Sequence, residues 1–300
     1  MMSTASFKTG SHSVARDVRM RQKSPFVESL RRLRKSPLAI LGFVAILCLT
    51  VPCVGAPLFT AISPTKINAS AILSPPSSVH YFGTDQYGRD LYSRVLYGGR
   101  LSLLVGAAVS LSTGMLGMLI GVMSAYYPRL DNLIMRAMDI LMSFPTLLTA
   151  MAIMAVLEPS LFNIILAMVF PITPWTARMV RSVALSLKSL DYVMAARSLG
   201  AGDMRIVLRH LMPNVVPTLL VRQTLVFGTA VLVEGGLNFL GIGLPPDVPT
   251  LGSIVAAGRA YLAQMPWFSL YAGLFIGLIV LSVNLIGDGL RDAFDPRMKV

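Results

Sequence analysis

The sequence has little charge and little cysteine. Asp, Glu, Lys and Arg make up 13% of its 300 residues, whereas soluble domains carry about 25%. Hydrophobic residues make up 54% and the mean hydropathy is +0.68, which excludes an ordinary soluble domain. The two cysteines, Cys48 and Cys53, share one apolar run and would leave different faces of one helix. They therefore indicate neither a disulfide framework nor a metal cluster.

The chain also lacks the short motifs of nucleotide binding and hydrolysis. It contains no G-x-x-x-x-G-K-[ST] string, no H-E-x-x-H pair and no G-x-S-x-G elbow. Its three histidines, His12, His80 and His210, lie in three separate segments outside the apolar runs. We therefore expect that the chain is not an enzyme and that it binds no metal or cofactor of its own.

Long uncharged stretches predict an all-α, polytopic membrane protein with six transmembrane helices. A bilayer core of about 30 Å needs about 20 apolar residues per helix. The spans expected from the gaps between charges are 37–59, 101–128, 140–157, 159–177, 215–236 and 267–289. Arg222 interrupts the fifth span, so its side chain is expected to reach the interface or to face a partner in the bundle.

The basic residues are distributed unevenly along the chain. With a cytoplasmic N-terminus, 20 of the 26 Lys and Arg residues fall on cytoplasmic segments and five on external ones, as the positive-inside rule requires. The longest cytoplasmic loop is then 182–214. The predicted organisation is a cytoplasmic tail at 1–36, a first span at 37–59, an external loop at 60–100, a core of five helices at 101–290 and a cytoplasmic tail at 291–300.

Glycines recur at close spacing in two of the predicted spans. Gly114, Gly117 and Gly121 lie on one stripe of the second span, and Gly273 and Gly277 on one stripe of the sixth. Small residues let helix backbones approach closely in lipid, so both stripes predict helix packing.

The loop at 182–214 has the pattern of two short helices joined by a glycine turn at 200–202. The small apolar face of the first helix comprises Tyr192, Ala195, Ala196 and Leu199. The second helix is expected to begin with Asp203 as its N-cap and to end at Pro213-Asn214. Its apolar stripe comprises Met204, Val207, Leu208 and Leu211. A small-faced helix of this kind suits a groove on a soluble partner better than it suits DNA, since the second helix has no third helix to pack on.

At this loop the sequence resembles the inner-membrane permeases of binding-protein-dependent ABC importers. Their loop runs Glu-Ala-Ala, three residues, Gly, nine residues, Ile-x-Leu-Pro, and this chain keeps that spacing from Met194-Ala195-Ala196 through Gly200 to Pro213. Met194 stands in place of Glu, and His210 in place of Ile. The resemblance implies a type I ABC importer permease fold and a coupling helix that docks on an ATPase subunit. The implied docking residues are Asp191, Tyr192, Met194, Ala195, Ala196, Arg197, Leu199, Gly200, Ala201 and Asp203.

Longer stretches narrow the resemblance to the "C"-type permease subunit of dipeptide, oligopeptide and nickel importers. They are 82–90, 93–98, 238–243 and 284–297. The resemblance implies import of short peptides, with nickel or another small solute as the alternative within the family. An ion-coupled secondary transporter is the alternative from another class, and the lack of a visible internal repeat argues against it. It also implies a bacterial inner membrane and no nucleic acid. The implied partners are a homologous second permease in a heterodimer, two cytoplasmic subunits that bind ATP and Mg, and an extracytoplasmic substrate-binding protein.

Charged residues also mark three positions outside the coupling loop. In the external loop, Asp85, Arg89 and Asp90 are expected to pair with one another within a glycine-framed turn. Asp139 is expected to pair with Arg136 at i,i+3. The resemblance implies that the loop docks the substrate-binding protein through Gly83, Thr84, Asp85, Gly88, Arg89 and Asp90.

Glu234, near the outer end of the fifth span, is a candidate pathway contact. An acidic side chain there would meet the amine of a peptide or a cation. The alternative is an interfacial or interhelical role.

Overall fold

The computed structural model describes residues 33, 34 and 36–294, so most of the tails predicted at 1–36 and 291–300 lies outside the described residues. The described part consists of helices and their connections, with no named strand. Five helices are long and apolar enough to cross a membrane, and a bent pair makes a sixth crossing if its two helices count as one span. The predicted all-α, polytopic fold is therefore confirmed, with five or six candidate spans in the described part of the chain. In chain order the helices are α1 Pro37–Val54, α2 Ala56–Phe59, α3 Leu91–Tyr126, α4 Pro128–Met142, α5 Thr146–Met154, α6 Leu161–Lys188, α7 Asp191–Ser198, α8 Asp203–Ile206, α9 Met212–Phe239, α10 Leu251–Gly258 and α11 Trp267–Phe294.

The second span begins ten residues before the predicted position. Asp90 caps the helix, because its carboxylate accepts a hydrogen bond from the backbone N–H of Ser93 at 2.8 Å. Arg94 and Arg100 therefore lie inside α3 and not in the loop predicted at 60–100. Gaps between charged residues locate apolar stretches but not helix ends. A helix can include charged residues and extend to the residue that caps it.

The third span is not the single helix predicted at 140–157. Its residues divide between α4 and α5, which meet at an angle of 84°. Pro145 precedes α5 and cannot donate a backbone hydrogen bond to the preceding turn, so the helix breaks there. Consequently Asp139 lies near the end of α4 and not one turn into a continuous membrane helix.

The fifth span also differs at its start. The predicted end of the loop at Pro213-Asn214 is wrong, since α8 passes through a π turn, Val207–Leu211, directly into α9. Pro213 directly follows the π turn within this continuous helix, and it has no N–H to donate to the preceding turn.

Glycine contacts hold α3 against α6. A Cβ on Gly117 would lie 2.6 Å from Cγ2 of Thr176, and one on Gly121 would lie 2.5 Å from the carbonyl oxygen of Ala177. The packing predicted for this stripe is confirmed. Gly273 and Gly277 have no described heavy atom within 4 Å of such a Cβ, so the stripe on α11 does not pack within the described part of the chain.

The helices place two sets of connections at opposite ends of the bundle. One end, called here the α7 end, carries α7, α8 and the π turn, and buries Val193, Ile206 and Leu211. The opposite end, called here the 60–90 end, carries residues 60–90 and the start of α10, and buries Leu91 and Leu251.

Candidate functional site

The predicted helix, glycine turn and second helix are present at the α7 end. α7 ends at Ser198, Gly200 has φ +82° and α8 begins at Asp203. A φ in this region is costly for residues with a side chain, so glycine suits the turn. A Cβ at Gly200 would meet no atom within 4 Å, which leaves the turn open to a partner.

The apolar face of α7 is exposed. Tyr192 is 43% exposed, Met194 51% and Leu199 88%, and Ala195 is exposed as well. Val193 is the single residue of α7 that is buried. An apolar helix face without a partner in its own chain is typical of a helix that docks into a groove.

The second short helix differs from the prediction in its cap and its stripe. Gly202 is the N-cap, and the carboxylate of Asp203 instead accepts a hydrogen bond from the hydroxyl of Tyr126. Met204 and Leu208, predicted to share an apolar stripe, are 67% and 55% exposed. Leu211 is buried as predicted, and Ile206, five residues before it, is the other buried residue, which is the i,i+5 spacing of a π turn.

Tyr126 is a residue of this site that the sequence pattern did not indicate. It is 4% exposed, and its hydroxyl donates to Asp203 at 2.5 Å and accepts from Nη2 of Arg197 at 3.0 Å. The hydrogen bond to Tyr126 raises the pKa of the Arg197 guanidinium. Tyr126 lies at a helix end about 70 residues before this loop. No periodic pattern in the sequence predicts a contact between the two.

Asp85 organises the turn at the 60–90 end. Its carboxylate accepts from the backbone N–H groups of Tyr87 and Arg89 at 2.9 Å each and from Nε of Arg89 at 2.6 Å. Nε of Arg94 lies 3.7 Å away. Asp85 and Arg94 are almost completely buried, so this carboxylate and two guanidiniums form an internal group.

Two glycines and a threonine complete this turn. Gly83 has φ +77° and Gly88 has φ +72°. The hydroxyl of Thr84 accepts from the N–H of Ser74 at 2.8 Å and donates to the carbonyl of Ala71. All six predicted docking residues therefore lie in one folded turn, beside a cavity of about 310 Å³ that also borders Asp247 and Ser253.

The expected pairing of Asp90 with Arg89 is wrong. Asp90 instead contacts His80, whose Nδ1 lies 2.8 Å from Oδ1, and it accepts from the Ser93 hydroxyl at 2.7 Å. Arg94 and His80 are thus the members of the charged group that the sequence did not indicate. Which charged residues of this loop pair depends on how the loop folds. Their order in the sequence does not reveal it.

Glu234 is fully buried between helices. Its carboxylate accepts from the Ser102 hydroxyl and from the Asn238 side-chain amide, each at 2.6 Å. Asn238 in turn accepts from the N–H of Leu244 at 2.8 Å. These contacts are those of an interhelical residue that also fixes the segment after α9.

Comparison with known proteins gives a consistent match over most of the chain. Residues 117–300 match the family of binding-protein-dependent transport system inner membrane components, and residues 24–76 match the N-terminal transmembrane domain of oligopeptide transport permease C. The chain belongs to this family of inner-membrane transport permeases. It is therefore a multi-pass inner-membrane protein and a transporter subunit.

Several relatives of this permease cover nearly its full length. One from Brucella suis biovar 1 is 46% identical over 93% of this chain and 94% of its own length. The dipeptide transport system permease protein DppC of Alkalihalophilus pseudofirmus is 41% identical over 92% of this chain and 91% of its own. The oligopeptide transport system permease protein OppC of Bacillus subtilis is 35% identical over 95% and 94%.

A solved structure supports the fold of the permease. The inward-facing MetNI methionine ABC transporter contains a chain with a TM-score of 0.56 and 19% identity, which covers 67% of this chain and 96% of its own. At that identity the likeness concerns the fold alone, and it agrees with the predicted ABC importer permease fold.

Two charged residues of the permease lie elsewhere in the bundle. Asp139 pairs with Arg178 of α6, not with the predicted Arg136, because α4 runs beside the end of α6. Arg222 is half-buried in α9, and its Nε has no hydrogen-bond partner among the described residues. It borders a cavity of about 380 Å³ together with Asp288 and Arg291 of α11.

Proposed function

We propose that this permease forms half of the pathway by which an ATP-driven importer takes up short peptides. The other half would be a homologous second permease. The names of relatives that cover over nine-tenths of this chain, for dipeptide and for oligopeptide transport, support peptides as the cargo. Nickel or another small solute is the alternative within the same family.

The exposed face of α7 is the observation that carries this proposal. Tyr192, Met194 and Leu199 present apolar surface that no other residue in the described ranges covers. A soluble ATPase subunit with a groove would bury that surface, and ATP with Mg would be bound there and not on this chain. Two such subunits would serve the two permeases.

The charge bias orients the proposed transporter. The α7 end would face the cytoplasm together with both termini, since most basic residues flank the spans on that side. The 60–90 end would then face outward and receive the substrate-binding protein at the turn that contains Asp85 and Arg89.

Reconstitution of the complete transporter tests the proposal. This chain, the second permease, the ATPase subunits and the binding protein are placed in liposomes, and uptake of a labelled dipeptide is measured with and without ATP. We expect uptake to need ATP and every partner. Uptake by the purified chain alone, driven by an ion gradient, would contradict the proposal and favour a secondary transporter.

A pair of glycine substitutions tests the docking role. Gly200→Arg adds a bulky side chain at the turn after α7, where a Cβ meets open space. We expect loss of ATPase binding in a pull-down and loss of uptake. Gly241→Arg is the matched control, because Gly241 also has a positive φ, +75°, and open surroundings but lies at the other end of the bundle. ATPase binding should survive in the control.

A further inference from the structure

The hydroxyl of Tyr126 joins the two sides of the glycine turn to the end of a membrane helix. Tyr126 is the last residue of α3, Arg197 belongs to α7 and Asp203 begins α8. One hydroxyl therefore contacts residues on both sides of Gly200, through the two hydrogen bonds described above. Both bonds have a charged partner, and such bonds are shorter and stronger than bonds between neutral groups.

The aromatic ring of Tyr126 adds a second set of contacts. Nζ of Lys188 lies 5.2 Å from the ring centroid, and the guanidinium carbon of Arg197 lies 5.6 Å from it. Cations within about 6 Å of an aromatic centroid are attracted by its π electrons. Nζ of Lys188 also donates to the carbonyls of Ala125 and Tyr126 at 3.1 Å each, which ties the end of α6 to the end of α3.

The other contacts of α7 are few. Val193 is its one buried side chain, and the hydroxyl of Tyr192 accepts a long hydrogen bond of 3.4 Å from Asn214. The Tyr192 ring lies 6.1 Å from the His210 ring, and within the described part of the chain few other side chains contact α7. A rotation of α7 about Val193 would break the hydrogen bond from Arg197 to Tyr126.

Polar contacts continue from Tyr126 into the bundle. Two residues before it, the hydroxyl of Ser124 donates to Asp131 of α4. Asp131 also accepts from Nε and Nη2 of Arg181 in α6, each at 2.5 Å. The end of α3 is thereby linked to α4, α6, α7 and α8 within one contiguous group.

We propose that Tyr126 is a positioning residue that transmits displacement of α7 to α3 and α6 during transport. This inference rests on the proposed docking of an ATPase subunit on α7. If the ATPase moves α7, the two hydrogen bonds at Tyr126 oblige α3 to follow. Without them α7 can turn about Val193 while α3 stays in place, and ATP is hydrolysed without import.

The test is the number of ATP molecules hydrolysed per peptide imported by the complete transporter in liposomes. Tyr126→Phe removes the hydroxyl and keeps the ring, so the apolar packing and the cation contacts stay. We expect the ratio of ATP to peptide to rise about fivefold or more, the lower range of coupling between sites. The control is Tyr127→Phe, since Tyr127 is adjacent, 38% exposed and has no hydroxyl hydrogen bond within the described part of the chain. Its ratio should equal that of the wild type.

The outcomes separate this inference from the proposed function. If the assembled Tyr126→Phe transporter keeps the wild-type ratio, the inference is wrong while the proposed function stands. If the wild type shows no ATP-dependent uptake, the proposed function fails first. If Tyr126→Phe does not assemble, Asp203→Asn decides by the same ratio, measured on transporter that binds the ATPase normally in a pull-down, because Asp203 is exposed and the substitution weakens its charged hydrogen bond with Tyr126. A raised ratio there supports the role of Tyr126, and an unchanged ratio overturns it.

Discussion

The two ends of the bundle differ in the exposure of their charged and apolar side chains. At the 60–90 end, Asp85, Asp90 and Arg94 are 1%, 2% and 3% exposed. Asp85 pairs with Arg89 and Arg94, and Asp90 contacts His80 and Ser93. At the α7 end, apolar side chains are exposed, and the charged residues Arg197 and Asp203 gather around one tyrosine near the surface. Buried charge groups tolerate little rearrangement, whereas a helix held by few contacts moves readily. The 60–90 end is thus built as a fixed surface, and the α7 end as a movable one.

The largest effect expected from this comparison is that of Asp85→Ala. The substitution leaves Arg89 and Arg94 buried without their carboxylate, and breaking a buried pair costs about 3–5 kcal/mol. Thermal unfolding in detergent should show this loss of stability. Asp247→Ala is the control, because Asp247 is an exposed carboxylate beside the same cavity, and such surface changes stay within about 0.5 kcal/mol. Equal effects of the two variants would contradict a rigid 60–90 end.

A smaller effect is expected for Glu234→Ala. Ser102 and Asn238 would lose their buried acceptor, which costs about 2 kcal/mol. Glu158→Ala, at an exposed carboxylate, should leave the unfolding temperature nearly unchanged.

The candidate role of Glu234 in the pathway needs a separate measurement. Glu234→Gln removes the charge, while its Oε1 can accept from Asn238 and its amide N–H can donate to the Ser102 hydroxyl. Uptake of dipeptides with free and with acetylated N-termini is then compared. An unchanged preference supports the interhelical role, and a lost preference for the free amine supports contact with the cargo.

The smallest effect on stability is expected for Leu199→Ala, at a side chain that is 88% exposed. The free energy of unfolding should change by no more than about 0.5 kcal/mol. Binding of the ATPase subunit should nevertheless weaken by about 1 kcal/mol or more, as for an apolar contact at the centre of an interface. Leu208→Ala, an exposed leucine of the π turn outside α7, is the matched control and should bind normally. A large loss of stability in Leu199→Ala would show that the α7 end is not loosely held.

The sequence predicted more of the local structure at the α7 end than at the 60–90 end. Gly200 and the apolar spacing from Tyr192 to Leu199 indicated the short helix and its turn, because helix periodicity and glycine turns are local properties. The cap at Asp203 and the helix end at Pro213 were predicted wrongly. Both depend on neighbours, since Asp203 is drawn to Tyr126 and the π turn carries the chain on into α9.

The sequence by itself determined that this chain crosses the membrane, that it does so several times and to which family it belongs. Hydrophobic length and charge spacing suffice for the first two, because the bilayer requires long uncharged helices, and the loop from Met194 to Pro213 carries the third. Only the tertiary structure decided the break at Pro145, the partners of Asp90 and Asp139 and the place of Tyr126. These features depend on which residues pack together in the fold. The number of residues between two positions in the sequence does not determine the distance between them in space.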